Sequence, residues 1–222
     1  MNKLKVIVTG STGMVGEGVL HECMEHNDVE SILVINRKPC GVFHPKLTEL
    51  IHPDFFDISS LKEQITGYSA CFFCLGVSSL GMNETEYTRM TYTLTLNFAR
   101  TLSGLNPAMT FCYVSGAGTD GSEKGRSMWA RVKGRTENDL MKLPFRQAFN
   151  FRLAFPIPAK GMKNTHTYFK YVAWLIPLVR VMFPNIICSL KDLGKAMINS
   201  ALYGYPAGVL EVRDIKRLSS FS

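Results

Sequence analysis

The sequence feature that most constrains the fold is a glycine-rich turn, Gly10-Ser11-Thr12-Gly13-Met14-Val15-Gly16. The apolar run 4–9 before it predicts a β-strand, and the residues after it predict a helix. In such a unit, the first glycine turns the chain off the strand, the second lets the backbone approach a pyrophosphate, and the third lets the helix pack on the sheet. Phosphates bind N–H groups at the positive end of a helix. The pattern therefore predicts a phosphate-binding loop, although its G-x-x-G-x-x-G spacing differs from G-x-G-x-x-G; the alternative is a glycine turn that only packs.

Apolar runs alternate with helical patterns along the whole chain. Strands are predicted at 4–9, 31–36, 47–51, 70–76, 110–115, 147–152 and near 208–212. Helices are predicted at 15–26, 59–66, 84–104, 128–142, 167–182 and 190–203. Several strands are nearly continuous in apolar residues, which is typical of strands buried on both faces. The alternation predicts an α/β fold, a doubly wound parallel sheet with helices on both faces. We expect one domain over 1–222, with a small C-terminal lobe in which the substrate-facing segments lie mainly in 155–222.

Charge and cysteine content narrow the range of partners. The formal net charge of +7 suits an anionic partner such as a phosphorylated cofactor. The basic residues are scattered and lack interleaved aromatic residues, so we expect a solvated basic surface and no nucleic-acid interface. The six cysteines lie mostly in apolar runs, and no second C-x-x-C or His pair completes a zinc site, so we expect no metal. We expect reduced thiols, and the strand predicted from residue 4 leaves no room for a signal peptide, so we expect a cytoplasmic protein.

A strongly apolar stretch lies at 168–184. Lys170, Pro177 and Arg180 interrupt it, and it is shorter than the ~20 residues that a membrane span needs. We therefore expect no transmembrane span. Peripheral membrane contact, a helix that covers the substrate pocket and a homodimer surface remain the alternatives for this stretch.

In a doubly wound sheet, ligands lie across the carboxyl ends of the strands. The second strand ends in Asn36-Arg37-Lys38, where a site that prefers NAD would carry an acidic residue for the ribose 2′-hydroxyl. An arginine fork pairs with phosphate and stacks on adenine. These residues favour NADP(H) over NAD(H), unless Arg37 and Lys38 are ordinary surface charges.

The third and fourth strand ends supply further cofactor candidates. Asp57 is expected to accept a hydrogen bond from the adenine amino group. Asp54 is the competing residue, and a helix-capping role for Asp57 is an equally good interpretation. The fourth strand ends in Cys74-Leu75-Gly76, where glycine would let the chain pass beside the cofactor ribose.

Four segments together resemble the short-chain dehydrogenase/reductase superfamily, in particular its atypical NAD(P)H-binding, NmrA-like branch. They are GSTGMVG at 10–16, CLG at 74–76, YVSGAG at 113–118 and VKG at 132–134. The resemblance covers residues 4 to about 157. It implies a Rossmann fold with strand order 3-2-1-4-5-6-7 and a nicotinamide cofactor across the strand tips. It also implies that Phe155 lies beside the nicotinamide amide.

The resemblance assigns catalytic roles to three positions. The family uses a Ser after the fifth strand and a Tyr-x-x-x-Lys pair; Ser115 matches the Ser and Lys133 matches the Lys, which would bind the nicotinamide ribose. The Tyr position carries Trp129. An indole N–H does not ionise in this range, so Trp129 cannot act as the general acid. Tyr113, His166 and Tyr168 are candidate replacements, each with a packing or surface role as its alternative.

Three functions are compatible with these residues. The first is an NADP(H)-dependent oxidoreductase that acts on a small carbonyl or hydroxyl compound with altered acid–base machinery. The second is a non-catalytic module that senses NADPH and regulates a partner. The third is an NAD-dependent sugar-nucleotide epimerase, which Trp129 and Arg37 disfavour because such an enzyme uses the same Tyr and a tightly held NAD.

Overall fold

The computed structural model describes residues 3–159, 161–165 and 186–221. Its strands are β1 Leu4–Thr9, β2 Val29–Asn36, β3 Leu47–Ile51, β4 Ala70–Phe73, β5 Thr110–Gly116, β6 Gln147–Leu153, β7 Phe155–Ile157, β8 Ile187–Ser189 and β9 Val209–Leu210. Seven of them form a parallel sheet in the order β3-β2-β1-β4-β5-β6-β9. The predicted order is confirmed, with the two-residue β9 in seventh place.

The helices flank the sheet. They are α1 Met14–Glu25, α2 Lys62–Ile65, α3 Glu84–Thr88, α4 Leu94–Leu105, α5 Met128–Leu140, α6 Leu190–Tyr203 and α7 Val212–Ser219. A 3-10 turn, Ser59–Leu61, leads into α2, and a π-helical turn, Arg89–Thr93, joins α3 to α4. The helix predicted at 167–182 lies outside the described residues. No helix within the described ranges is long and apolar enough to cross a membrane.

Alternation along the strands divides the core into two layers. On β1, Val6 and Val8 belong to a cluster that includes residues of α1, α6 and α7. Ile7 points the other way, into a cluster that includes residues of α4 and α5. Because successive side chains of a strand point to opposite faces, an apolar run buries both faces of the sheet. Because all seven strands of this sheet run parallel, their carboxyl ends lie along one edge.

Three differences from the sequence prediction concern β4 and the elements after β6. The fourth strand ends at Phe73, so Cys74–Gly76 follow it as a loop. β7 and β8 form a separate parallel pair, in which the Phe155 N–H donates to the Ile186 carbonyl at 3.0 Å. Helix α7 begins at Val212, where a strand was predicted, because Asp214 accepts a hydrogen bond from the Glu211 N–H at 3.2 Å. A hydrogen bond from the N-cap N–H to the side chain at N3 is typical of a helix start.

Candidate functional site

The glycine loop turns sharply against the end of β4. Gly10 has φ +72°, and a Cβ there would lie 2.8 Å from the Cys74 carbonyl oxygen. A Cβ on Gly16 would overlap the Gly10 carbonyl oxygen, so α1 starts directly on the loop. Gly13 is the N-cap of α1, and in the described chain no side chain caps this helix. The first-turn N–H groups of α1 are therefore left for an external acceptor.

Two adjoining clefts follow the carboxyl ends of the strands. One of about 480 Å³ runs from the glycine loop past the ends of β3 and β4, and one of about 510 Å³ runs past the end of β2. They share Gly10, Thr12, Arg37 and Leu75. Of the residues predicted to hold the cofactor, those that line the clefts are Gly10, Thr12, Gly13, Asn36, Arg37, Lys38, Cys74, Leu75 and Gly76. Met90 and Leu94, which sequence reasoning missed, add an apolar wall to the first cleft.

The rest of the glycine loop has a structural role. Ser11 is 2% exposed, and its Oγ accepts a hydrogen bond from Asn36 Nδ2 at 2.8 Å. Met14 lies in the core and Val15 packs against it. Neither Ser11 nor these two apolar residues lines the described clefts. The predicted phosphate-binding segment thus divides into a cleft-lining part at Gly10, Thr12 and Gly13 and a part that anchors the loop.

A carboxylate from the edge strand holds the loop after β2. Glu49 Oε1 accepts hydrogen bonds from Asn36 Nδ2 and from the Cys40 N–H, both at 2.9 Å. Glu49 was missed at the sequence level, because nothing in the β3 pattern marks its side chain as a partner of the neighbouring loop. Its contacts fix the backbone that carries Arg37 and Lys38.

Arg37 and Lys38 are exposed at the mouth of the second cleft. Within the part of the chain that the structure describes, neither side chain is in an ion pair or a hydrogen bond. Two unpaired cations on a fixed loop form an anion-binding surface. The predicted preference for NADP(H), which carries a 2′-phosphate, depends on these two cations.

The two aspartates near the end of β3 lie in different places. Asp54 lines the first cleft. Asp57 is exposed and does not line either cleft, and its Oδ1 accepts a hydrogen bond from the Ser59 N–H at 2.8 Å. This bond and a second one to the Ser59 side chain lower the pKa of Asp57. Asp57 thus bonds the first residue of the 3-10 turn, although the N-cap of that turn is Ile58. Asp54 is the carboxylate that the structure brings to the cleft.

Ser115 lies at the end of β5 and is 5% exposed. Its Oγ is 3.1 Å from Thr119 Oγ1, and Thr119 Oγ1 donates to the Gly116 carbonyl at 2.7 Å. Because the Thr119 proton is used in that bond, Ser115 is the donor in the pair of hydroxyls. Thr119 was not anticipated, and it determines which way the Ser115 hydroxyl points.

Trp129 and Lys133 lie one turn apart on α5, beside the turn that follows β5. The Trp129 indole is 3.5 Å from the positions that Cβ atoms on Gly116 and Gly118 would take, so the ring packs against the turn after Ser115. Lys133 Nζ donates to the Tyr113 hydroxyl at 3.2 Å and lies 5.0 Å from the centre of that ring. Tyr113 is 1% exposed, so its hydroxyl faces the core.

Burial shifts the pKa values of both members of this pair. Burial lowers the pKa of Lys133. Burial also raises the pKa of Tyr113, with a further contribution from Glu137. Tyr113 therefore stays protonated, and it does not present its hydroxyl to the described clefts. Of the other candidate proton donors, His166 and Tyr168 lie outside the described residues.

Phe155 takes part in the small sheet. It starts β7, and its N–H is already bonded to Ile186. It packs against the core on the α1 side and does not line either described cleft.

Comparisons with known proteins give a fold-level result. No protein-family model and no curated protein sequence matches the chain. The UDP-N-acetylglucosamine 4-epimerase from Methanobrevibacter ruminantium is 13% identical with a TM-score of 0.68, over 98% of this chain and 81% of that chain. The Helicobacter pylori ADP-L-glycero-D-manno-heptose-6-epimerase is 14% identical with a TM-score of 0.69, over 95% and 76%. A short-chain dehydrogenase/reductase superfamily protein from Agrobacterium tumefaciens, solved with bound NAD, is 12% identical with a TM-score of 0.65, over 92% and 76%.

These similarities define the class of structure. The chain has the Rossmann fold of short-chain dehydrogenase/reductase-like epimerases and dehydrogenases. The resemblance noted in the sequence is confirmed at the level of the fold. Identities of 12–14% leave the cofactor and the reaction to be argued from the site itself.

Proposed function

We propose that the chain binds a nicotinamide dinucleotide across its strand tips, with NADP(H) preferred over NAD(H). The observation that carries this proposal is the continuity of the clefts from the uncapped start of α1 to the unpaired side chains of Arg37 and Lys38. A diphosphate at Gly13 and a second phosphate beside Arg37 suit this distribution of donors. The binding of NAD by the Agrobacterium tumefaciens protein supports the choice of dinucleotide.

The space in the cleft also fits a bound ribose. A Cβ on Gly76 would meet no atom within 4 Å, and one on Gly13 would meet only the Gly10 carbonyl oxygen, at 3.4 Å. The fold itself therefore does not require glycine at position 76. A ligand that passes beside this backbone accounts for the missing side chain.

The reaction that we favour is a reduction or oxidation of a small carbonyl or hydroxyl compound. The bound cofactor would supply or accept a hydride. Neither Ser115 nor Lys133 lines the two described clefts. Ser115 would turn its hydroxyl from Thr119 to hold the substrate oxygen, and Lys133 would act on the nicotinamide ribose. The proton would come from water or from another group, because Trp129 does not ionise and the Tyr113 hydroxyl is buried.

A specific observation favours a second candidate, a dinucleotide sensor without turnover. Position 129, where the family has its catalytic Tyr, carries a tryptophan that packs against the Gly116–Gly118 turn. The phenol that does contact Lys133 is that of the buried Tyr113. Such a module would keep the cofactor cleft and regulate a partner. A sugar-nucleotide epimerase is the remaining alternative, supported by the epimerases with the same fold and opposed by the missing Tyr.

The test is a titration of the purified chain with NADPH and NADH, followed by intrinsic fluorescence and by calorimetry. We expect saturable binding, with NADPH binding at lower concentration. The chain has two tryptophans, Trp129 and Trp174, so the Trp129→Phe variant shows whether the quenching comes from Trp129. Calorimetry that detects neither dinucleotide contradicts the cofactor proposal. NADPH consumption with aldehydes and ketones then distinguishes the enzyme from the sensor.

A further inference from the structure

A buried carboxylate ties the chain after β7 to the glycine loop. Glu17, in the first turn of α1, is 3% exposed. Its Oε1 accepts a hydrogen bond from the Lys163 N–H at 2.6 Å, and its Oε2 accepts one from the Asn164 N–H at 2.7 Å. A buried carboxylate is costly unless hydrogen bonds compensate its charge, and two short bonds to N–H groups do so here. These bonds fix the backbone of residues 163 and 164 beside α1.

The fixed backbone brings an amide side chain to the cofactor cleft. Asn164 is exposed and lines the second cleft together with Thr12, Arg37 and Lys38. Met162, two residues earlier, is 9% exposed and packs in the core. The chain that leads to Asn164 is therefore held in place. Within the described residues, no partner satisfies the side-chain amide of Asn164. Its N–H donors are thus available to a ligand in the cleft.

The chemistry of this cleft indicates what the amide binds. Two cations and an amide donor around one space suit a phosphate, because phosphate oxygens accept hydrogen bonds from all three groups. We propose that Asn164 binds the phosphate on the adenosine ribose 2′ position, and that Glu17 is the positioning residue that holds Asn164 there. This inference rests on the proposed NADP(H) site and adds a third contact to it from a distant part of the chain.

The first test is the Asn164→Ala variant, titrated with NADPH and with NADH. We expect the dissociation constant for NADPH to rise about three- to tenfold, as for one lost hydrogen bond, and that for NADH to change less than about twofold. The control is Asn27→Ala, because Asn27 is also exposed but precedes β2, at the opposite end of the sheet. Equal losses for both cofactors would place Asn164 on the diphosphate and overturn the assignment. No loss for NADPH would overturn it as well.

The second test concerns Glu17. In Glu17→Gln the side chain keeps its size, but its amide nitrogen carries protons and repels a backbone N–H. We expect the same NADPH-selective loss as in Asn164→Ala. The double variant should bind NADPH no more weakly than Asn164→Ala alone, since a positioning residue acts through the group that it positions. Additive losses would show a general structural role and would overturn the positioning role. If Glu17→Gln does not fold, Glu17→Asp, which shortens the same carboxylate, takes its place in the cycle.

The outcomes separate this inference from the proposed function. A wild-type chain that binds neither dinucleotide refutes both. A wild-type chain that prefers NADPH, with an Asn164→Ala variant that prefers it just as strongly, refutes the role of Asn164 and leaves the NADP(H) site standing on Arg37 and Lys38.

Discussion

Replacing Arg37 with alanine is the most direct test of the cofactor preference. Arg37 lines both clefts, is exposed and has no ion-pair partner among the described residues. Its removal therefore takes nothing from the fold, and we expect the free energy of unfolding to change by less than about 0.5 kcal/mol. What the variant loses is a guanidinium that can pair with a phosphate in the cleft.

The expected loss of NADPH affinity follows from the exposure of Arg37. A hydrogen bond to a charged group contributes about 1.5–3 kcal/mol, but solvent screens an exposed pair. We therefore expect a loss of about 1–2 kcal/mol in NADPH binding, which is about a 5- to 30-fold rise in the dissociation constant. NADH has no 2′-phosphate, so its binding should weaken only through lost stacking on adenine, by about twofold. The selective part of the loss should shrink at high salt.

The assay is calorimetric titration of both cofactors at low and at high salt. The matched control is Arg213→Ala, which removes the same charge from an exposed position on α7 that lines neither cleft. It reports the effect of net charge alone. Equal weakening of NADPH and NADH in Arg37→Ala, or equal effects of the two variants, would refute the 2′-phosphate role of Arg37.

Three single variants and one double variant test the rest of the reasoning. In Gly76→Val, the added side chain meets no atom within 4 Å of its Cβ, so stability should hold while dinucleotide binding weakens about tenfold or more; an unchanged dissociation constant would be evidence against a ribose at this position. Trp129→Tyr should leave NADPH affinity within about threefold and raise carbonyl reduction above background, and no gain over a broad panel would count against an oxidoreductase origin. Glu137→Ala leaves Arg152 without its buried partner, which accepts from Arg152 Nη2 at 2.7 Å, and should lower the free energy of unfolding by about 3 kcal/mol in chemical denaturation. The double variant Glu137→Ala/Arg152→Ala should recover part of that loss, and a single variant as stable as wild type would contradict the argument.

Much of the sheet could be predicted because buried parallel strands carry their signal locally. The apolar runs at 4–9 and 47–51 match β1 and β3, and the turn chemistry of Gly10 marks the start of the cleft. The pair of β7 and β8 could not be predicted, since three-residue strands that lie far apart in sequence have no periodicity to detect. The π-helical turn at Arg89–Thr93 could not be predicted either, because the helical sequence pattern continues through it without a break.

Site residues could be predicted where the residue type itself indicates a role, as glycine does in a tight turn. They could not be predicted where the role depends on a partner that is distant in sequence. The glycines of the loop and the residues after β4 fall at the cleft because a parallel sheet ends there. Glu49 and Glu17 were missed, since a carboxylate in a strand or in the first turn of a helix usually belongs to a solvated surface. Their partners lie up to 147 residues away in sequence, and only the folded chain brings them together.

With Trp129 in the position of the catalytic Tyr, proton transfer near Lys133 depends on both Lys133 and Tyr113. Burial lowers the pKa of Lys133 and raises the pKa of Tyr113, so each shift favours the uncharged form of its group. A lysine lowers the pKa of a phenol through its positive charge, and desolvation opposes that effect here. Tyr113 is buried and lines neither described cleft, so its phenol is not placed to deliver a proton there. A phenol at position 129 would stand one helical turn before Lys133, at a half-buried position, whereas Tyr113 is fully buried. For this reason Trp129→Tyr, rather than any change at Tyr113, is the substitution that separates a reductase with one missing group from a protein that only binds the proposed dinucleotide.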